Sequence, residues 1–209
     1  MMNVRRAAIT LSAALAAALL AGCTSSAPRE EIQNFDALYK SYATAEDLVS
    51  EANLVVRGIA VESRVEEMFP EATATGNPET NPQAGLSEEE LKEWRESQGM
   101  VVTISTVQVK EVLKGNVSAG SMVEVTQLGG TLDGVRHVEQ DTTMLSRTSG
   151  EYLLFLGSNG IGKPHSLLNP EQAMYTVKAD GSLVSTGHGD LPSGINNVRG
   201  VKAVVASAK

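Results

Sequence analysis

Between Met100 and Gly130 the chain alternates apolar and polar residues in two runs, Met100–Leu113 and Met122–Leu128. A turn-rich joint, Lys114-Gly115-Asn116 to Ala119-Gly120, separates them. Alternation with period two marks a half-buried strand, because successive side chains leave opposite faces. The stretch therefore predicts a strand pair. Asn53–Val65 (NLVVRGIAVESRV) reads as an earlier strand, interrupted at Gly58. A glycine inside a strand marks a bulge or sharp bend, and small closed sheets need such bends. Glu151–Leu156 (EYLLFL) is apolar on consecutive positions, which predicts a central strand covered on both faces. Val135–Glu139 predicts a short strand after the Asp133-Gly134 turn. Ala173–Val177 and Leu183–Ser185 predict a hairpin around Lys178–Gly181.

Helical signals are fewer. Ile32–Ala52 reads as helical in parts, with Thr44 and Asp47 spaced as a capping box ahead of Leu48, Val49 and Ala52. Phe35, Tyr39 and Tyr42 recur at helical spacing just before it, and are expected to cover the open end of a barrel rather than form a stripe for a partner. Glu71–Gly85 is rich in Pro, Gly, Asn and Thr and predicts a loop. A short helix follows (SEEELKEWRES), with Ser87 and Glu90 as reciprocal caps and Leu86 and Leu91 as a hydrophobic staple. It carries Trp94, the only tryptophan, which either pins this insert to the barrel or anchors a partner, since tryptophan is enriched at binding hot spots. Val201–Ala208 predicts a terminal helix, and no internal repeat is visible.

Composition narrows the classes. Apolar residues make up 42 % of the 209, but aromatics only 4 %, so Val, Leu, Ile, Met and Ala are expected to fill the core. The net charge is −8. An acidic chain without a Lys/Arg cluster is a poor partner for nucleic acid, whose affinity comes largely from phosphate neutralisation. One cysteine excludes an internal disulfide framework and a cysteine-based zinc site.

That cysteine has a particular setting. Arg5 and Arg6 precede an apolar run, Ala7–Ala21, too short to span a bilayer, which reads as a signal peptide. The run ends Leu20-Ala21-Gly22-Cys23, which resembles the lipobox of bacterial lipoproteins. The resemblance implies that the Cys23 thiol is acylated and becomes the new N-terminus, with palmitate among its acyl chains. Two or more chains give stable anchoring where one is marginal. Residues 1–22 are thus expected to be a signal peptide and 23–31 a lipidated tether. Residues 32–209 are expected to form one barrel domain with an insert at 67–99. The expected location is the extracytoplasmic face of the cell membrane.

In order, the segments AEDLVSEA, NLVVRGIAVE, TISTVQVKEVLKG, SMVEVTQLGG and GEYLLFL resemble the OB-type barrel of netrin-like modules and tissue inhibitors of metalloproteinases. The likeness covers about residues 44–157. It implies a mainly β fold: a small OB-like Greek-key barrel of five to six strands, with a leading helix and a short helix in a long inter-strand insert. It does not carry the inhibitors' activity. Those proteins grip zinc through a cysteine at the domain's N-terminus, whereas here the sole cysteine is the expected lipid site.

No nucleophile elbow, phosphate loop or dinucleotide fingerprint occurs, and no cofactor is expected. His137, Glu139 and Asp141 would share one face of an extended strand and could ligate a divalent metal; the plainer reading is a solvated polar face. His188 and Asp190 lie in a glycine-containing loop, as site residues or simply as turn formers. The leading expectation is a lipid-anchored, non-enzymatic binding module whose partner is an envelope protein or a surface ligand. An envelope hydrolase or metal-dependent enzyme built on His137, Glu139 and Asp141 or on His188 and Asp190 is the alternative. A structural component of an envelope assembly is the third.

Overall fold

The computed structural model of the protein describes residues 31–188 and 190–208. The expected signal peptide, Cys23 and all of the tether except Glu31 lie outside them. In chain order the elements are β1 (Glu31–Phe35), α1 (Ala45–Glu51), β2 (Leu54–Met68), α2 (Glu88–Ser97), β3 (Met100–Lys114), β4 (Met122–Leu128) and β5 (Gly130–Leu132). There follow β6 (Val135–Glu139), β7 (Glu151–Gly157), β8 (His165–Leu167), β9 (Met174–Val177), β10 (Leu183–Ser185) and α3 (Val198–Ser207). The fold is mainly β, with the expected leading helix and the expected short helix in the insert.

Five strands close on one another in the order β7-β2-β3-β4-β8, because β8 also pairs with β7. β4 and β8 run parallel and the other neighbours antiparallel. This is the order of an OB-type barrel, partly open as such barrels are. The opening lies along β7, whose outer edge is divided. Residues 151–154 pair with β9, and only Leu156 and Gly157 pair with β8. β10 extends β9, and a separate three-stranded sheet, β1-β6-β5, lies beside the barrel.

Gly58 sits at a bulge, as its position in an apolar run predicts. The β2–β3 register shifts between Val55 and Val56, between Arg57 and Gly58 and between Ala60 and Glu62. Each bulge bends its strand and tightens the twist. A Cβ at Gly58 would lie 2.6 Å from the Gln108 carbonyl oxygen and from Val107 Cγ1, so no other residue fits without moving β3. At the end of β4, Gly129 and Gly130 take φ of 99° and 140°. The chain bends there and begins β5 at once, rather than simply ending the strand.

Both capping boxes form. Thr44 and Asp47 start α1, and Ser87 and Glu90 start α2. α1 and α3 pack together, α1 burying Ala45, Leu48 and Val49 and α3 burying Val198, Val201 and Val205. Lys114 Nζ donates to the carbonyls of Val49 (2.7 Å) and Ser50 (3.1 Å) at the C-terminal end of α1, where a cation is favoured. α3 starts earlier than predicted because the Asn197 side chain accepts from Gly200 N at 2.8 Å and caps it. None of the helices among the described residues is long and apolar enough to cross a membrane.

Two expectations are corrected. Phe35, Tyr39 and Tyr42 do not share a helix; residues 31–35 are β1, paired in parallel with β6, and among the described residues no helix precedes Ala45. The core is not purely aliphatic: Tyr42, Tyr152, Phe155 and Tyr175 are all buried, with Phe155 and Tyr175 edge to face at 6.1 Å. The few aromatics were concentrated there, where their large area contributes most.

The Tyr175 hydroxyl is buried without a hydrogen-bond partner among the described residues, and burial pushes its pKa far up. An unpaired buried hydroxyl costs roughly 1–3 kcal/mol. Tyr175→Phe should therefore raise the unfolding free energy measured in urea by about 1 kcal/mol. Gly58→Ala should lower it by about 2–4 kcal/mol through overpacking against β3. A loss on Tyr175→Phe would show that the hydroxyl has a partner after all.

Candidate functional site

Past Glu62, β2 and β3 pair without a further register shift up to Met68 opposite Met100. β4 continues this sheet, with Val102 opposite Leu128, and β8 adds Ser166 beside Thr126. Residues opposite one another, or two apart on one strand, share a face. Met68, Met100, Val102, Thr126, Leu128 and Ser166 are therefore gathered on one side, and all six line a cavity of about 350 Å³. Leu167, Pro170 and Gln127 continue its wall, while Tyr39 and Thr142 reach it from segments far apart in the chain. The lining is mostly apolar and contains no Lys, Arg, His, Asp or Glu. Met100 at the rim is 47 % exposed and neighbouring Phe69 is 40 % exposed, so the apolar surface continues outward. A concave, mostly apolar site of a few hundred Å³ with a few placed polar groups is the usual form of a small-ligand pocket.

Its polar end is assembled around Glu139. That side chain is only 2 % exposed. One carboxylate oxygen accepts from the Thr142 hydroxyl at 2.5 Å, and the other finds no partner among the described residues. Tyr39 lies against this group. Burial pushes its pKa up to about 12, the negative charges of Glu139 and Asp141 push the same way, and the Thr142 hydroxyl opposes them. The electrostatic environment at this part of the wall is thus negative.

A larger cleft of about 570 Å³ lies at the start of α3, with Arg57, Asp180, Asn197, Arg199 and Lys202 in its wall. Two of its cations are already engaged. Arg57 binds Glu151 through three contacts and Glu111 through one, and Lys202 pairs with Glu111. This cleft is a structural ion-pair network joining β2, β3, β7 and α3.

The residues singled out from the sequence are dispersed. His137 and Glu139 share a face of β6, half-buried and buried respectively, but the strand stops at Glu139. The chain then turns, with Thr142 N donating to the Glu139 carbonyl at 3.3 Å, and leaves Asp141 exposed. Among the described residues no group of three or more His, Cys, Asp or Glu is placed to hold a metal ion. His188 and Asp190 are both exposed; His188 N donates to Glu171, and the Asp190 carbonyl accepts from Gln172. Trp94 is half-buried on a helix that buries none of its residues. Cys23 lies outside the described residues.

Thr142 and the Met68–Met100 pair were not singled out by sequence reasoning, and Tyr39 was noted only with Phe35 and Tyr42 as a cover for the barrel's open end. The methionines at the two ends of the insert were the available signal. No protein-family model matches the chain, and no curated protein matches it.

The raised pKa of Tyr39 ties stability to pH at the alkaline end. The protonated phenol is favoured in the folded state, so this contribution is complete below the unfolded value near 10. It is lost as the pH rises through about 12. Difference absorbance titration of wild type against Tyr39→Phe should show one phenol ionising near that upper value. Adding Glu139→Gln should move it downward. A Tyr39 titration unchanged by Glu139→Gln would show that Glu139 does not act on the cavity wall.

Proposed function

We propose that this protein is a non-enzymatic binding module anchored by lipid at Cys23 on the extracytoplasmic face of the cell membrane, and that it holds an apolar ligand in the cavity between β2, β3, β4 and β8. The cavity carries the reading. It lies on the sheet where OB-type barrels commonly bind, the second and third barrel strands and their adjoining loops, which are β3 and β4 here. Its apolar wall and absence of lining acids, bases and nucleophile–base pairs favour holding a molecule over transforming it. The strand order supports a domain of the netrin-like OB type. That likeness concerns fold, and binding is argued from the cavity alone. The leader and lipobox resemblance support the anchor. Seven residues lie between Cys23 and Glu31, a span of at most about 30 Å when extended, so the barrel would work close to the membrane surface.

Two experiments test this. An apolar reporter dye should bind the protein saturably. Met100→Trp and Leu128→Trp, which fill the cavity, should weaken it by about tenfold, or about 1.4 kcal/mol, with unchanged far-ultraviolet circular dichroism. Equal binding by the filled variants would exclude the cavity as the site. Separately, Cys23→Ser should move the protein from the membrane fraction to the soluble one; continued membrane retention would remove the lipid anchor.

A further inference from the structure

Apart from the Tyr39 phenol, every side-chain donor group in the cavity wall engages a protein acceptor, the Gln127 amide through one of its two N–H bonds. The Thr126 hydroxyl points to the Met68 sulfur at 3.8 Å, and the Ser166 hydroxyl to Asn159 at 3.3 Å. The Gln127 amide donates to the Thr143 carbonyl at 2.8 Å, and its oxygen accepts from Leu145 N at 2.8 Å. Thr142 donates to Glu139 at 2.5 Å. A hydroxyl that has given up its proton to a neighbour keeps oxygen lone pairs for a further donor. The wall therefore presents mainly acceptors.

Charge points the same way. Directly behind Thr142 stands the buried Glu139 carboxylate, with one oxygen unpartnered, and no Lys or Arg forms an ion pair with it among the described residues. Arg64, on the strand that ends at Met68, is held by both Glu66 and Glu124. Lys40, next to Tyr39, is held by Glu51. These two cations are thus already compensated, as is Lys163, three residues before Ser166, by Glu71. Burial first, and then the charges of Glu139 and Asp141, raise the Tyr39 pKa.

We infer that the cavity selects a small apolar molecule ending in an ammonium group, and refuses the same molecule ending in a carboxylate. The inference rests on the binding reading above and names the ligand class for that site. An ammonium brings three donors and a positive charge, matching oxygen lone pairs backed by an uncompensated carboxylate. A carboxylate would give up its water for a wall with few uncommitted side-chain donors and an adjoining buried negative charge, a desolvation that little there offsets.

Matched eight-carbon diazirine probes ending in ammonium, hydroxyl or carboxylate test it by irradiation with the full chain and peptide mapping. Labelling of the peptides carrying Met100 and Leu128 is read relative to labelling of α2, which corrects for general attraction of cations to an acidic protein. The ammonium probe should exceed the carboxylate probe by about tenfold at the cavity peptides, with the hydroxyl probe between them. Glu139→Gln should shrink that ratio several-fold while hydroxyl labelling persists; the wild-type ratio stands as the test if that variant does not fold. Equal labelling by ammonium and carboxylate, or ammonium labelling no stronger than hydroxyl, would overturn the charge selectivity and leave the cavity. No cavity labelling by any of the three would overturn the binding site itself.

Discussion

The antiparallel ladder between β2 and β3 carries the rest of the molecule. Both strands have 15 residues, more than a five-stranded barrel needs. All three register shifts fall between Val55 and Glu62, largely the part of β2 whose other edge also pairs with β7. There the sheet must coil to close, and the bulges, together with the missing side chain at Gly58, allow it. Beyond Glu62 the ladder is regular and continues past β7 as an arm. One pair of strands thus provides both a coiled half that closes the barrel and a regular half that is free to build something else.

The candidate site belongs to that regular half. Because its register does not slip, Met68 faces Met100 and Val102 faces Leu128, and apolar side chains accumulate on one face. The β4–β5 bend at Gly129 and Gly130 turns the chain back across the arm. A Cβ at Gly130 would meet Thr103 Oγ1 and Val65 Cγ1, each at 2.8 Å, so β5 runs hard against β2 and β3. β6 follows from that bend and carries Glu139 into a buried position; β1 covers the other edge of β6. The polar end of the cavity therefore depends on the same glycine pair that ends β4. A buried carboxylate with an unpaired oxygen is costly unless something compensates it, which is the physical basis for expecting a donor-bearing ligand beside it.

Much of the secondary structure could be read from local pattern. The alternating runs became β3 and β4, the consecutive apolar run became β7, and Gly58 marked a bulge. Thr44 with Asp47 and Ser87 with Glu90 formed their capping boxes. Each of these rests on sterics or hydrogen bonds within a few residues, so the information is present in a short window of chain. The aromatic spacing of Phe35, Tyr39 and Tyr42 misled because helical periodicity is only one way to bury a residue. Tyr42 enters the core without a helix, its backbone N–H donating to Gln172 at 2.8 Å.

Composition set the acidic charge, and residue order over short distances set the strand pattern, the helix starts and the resemblance of the leader to a lipobox. That β8 closes the barrel, that β1 lies parallel to β6, and that Tyr39, Thr142 and the Met68–Met100 pair meet at one cavity follow from the folded arrangement. Strand partners are chosen by backbone hydrogen bonds, which are nearly alike for every residue, and by side-chain packing across long loops. The same holds for His137, Glu139 and Asp141. Their spacing placed them on one face only if the strand continued, and the turn after Glu139 instead buried one carboxylate and left Asp141 in solvent.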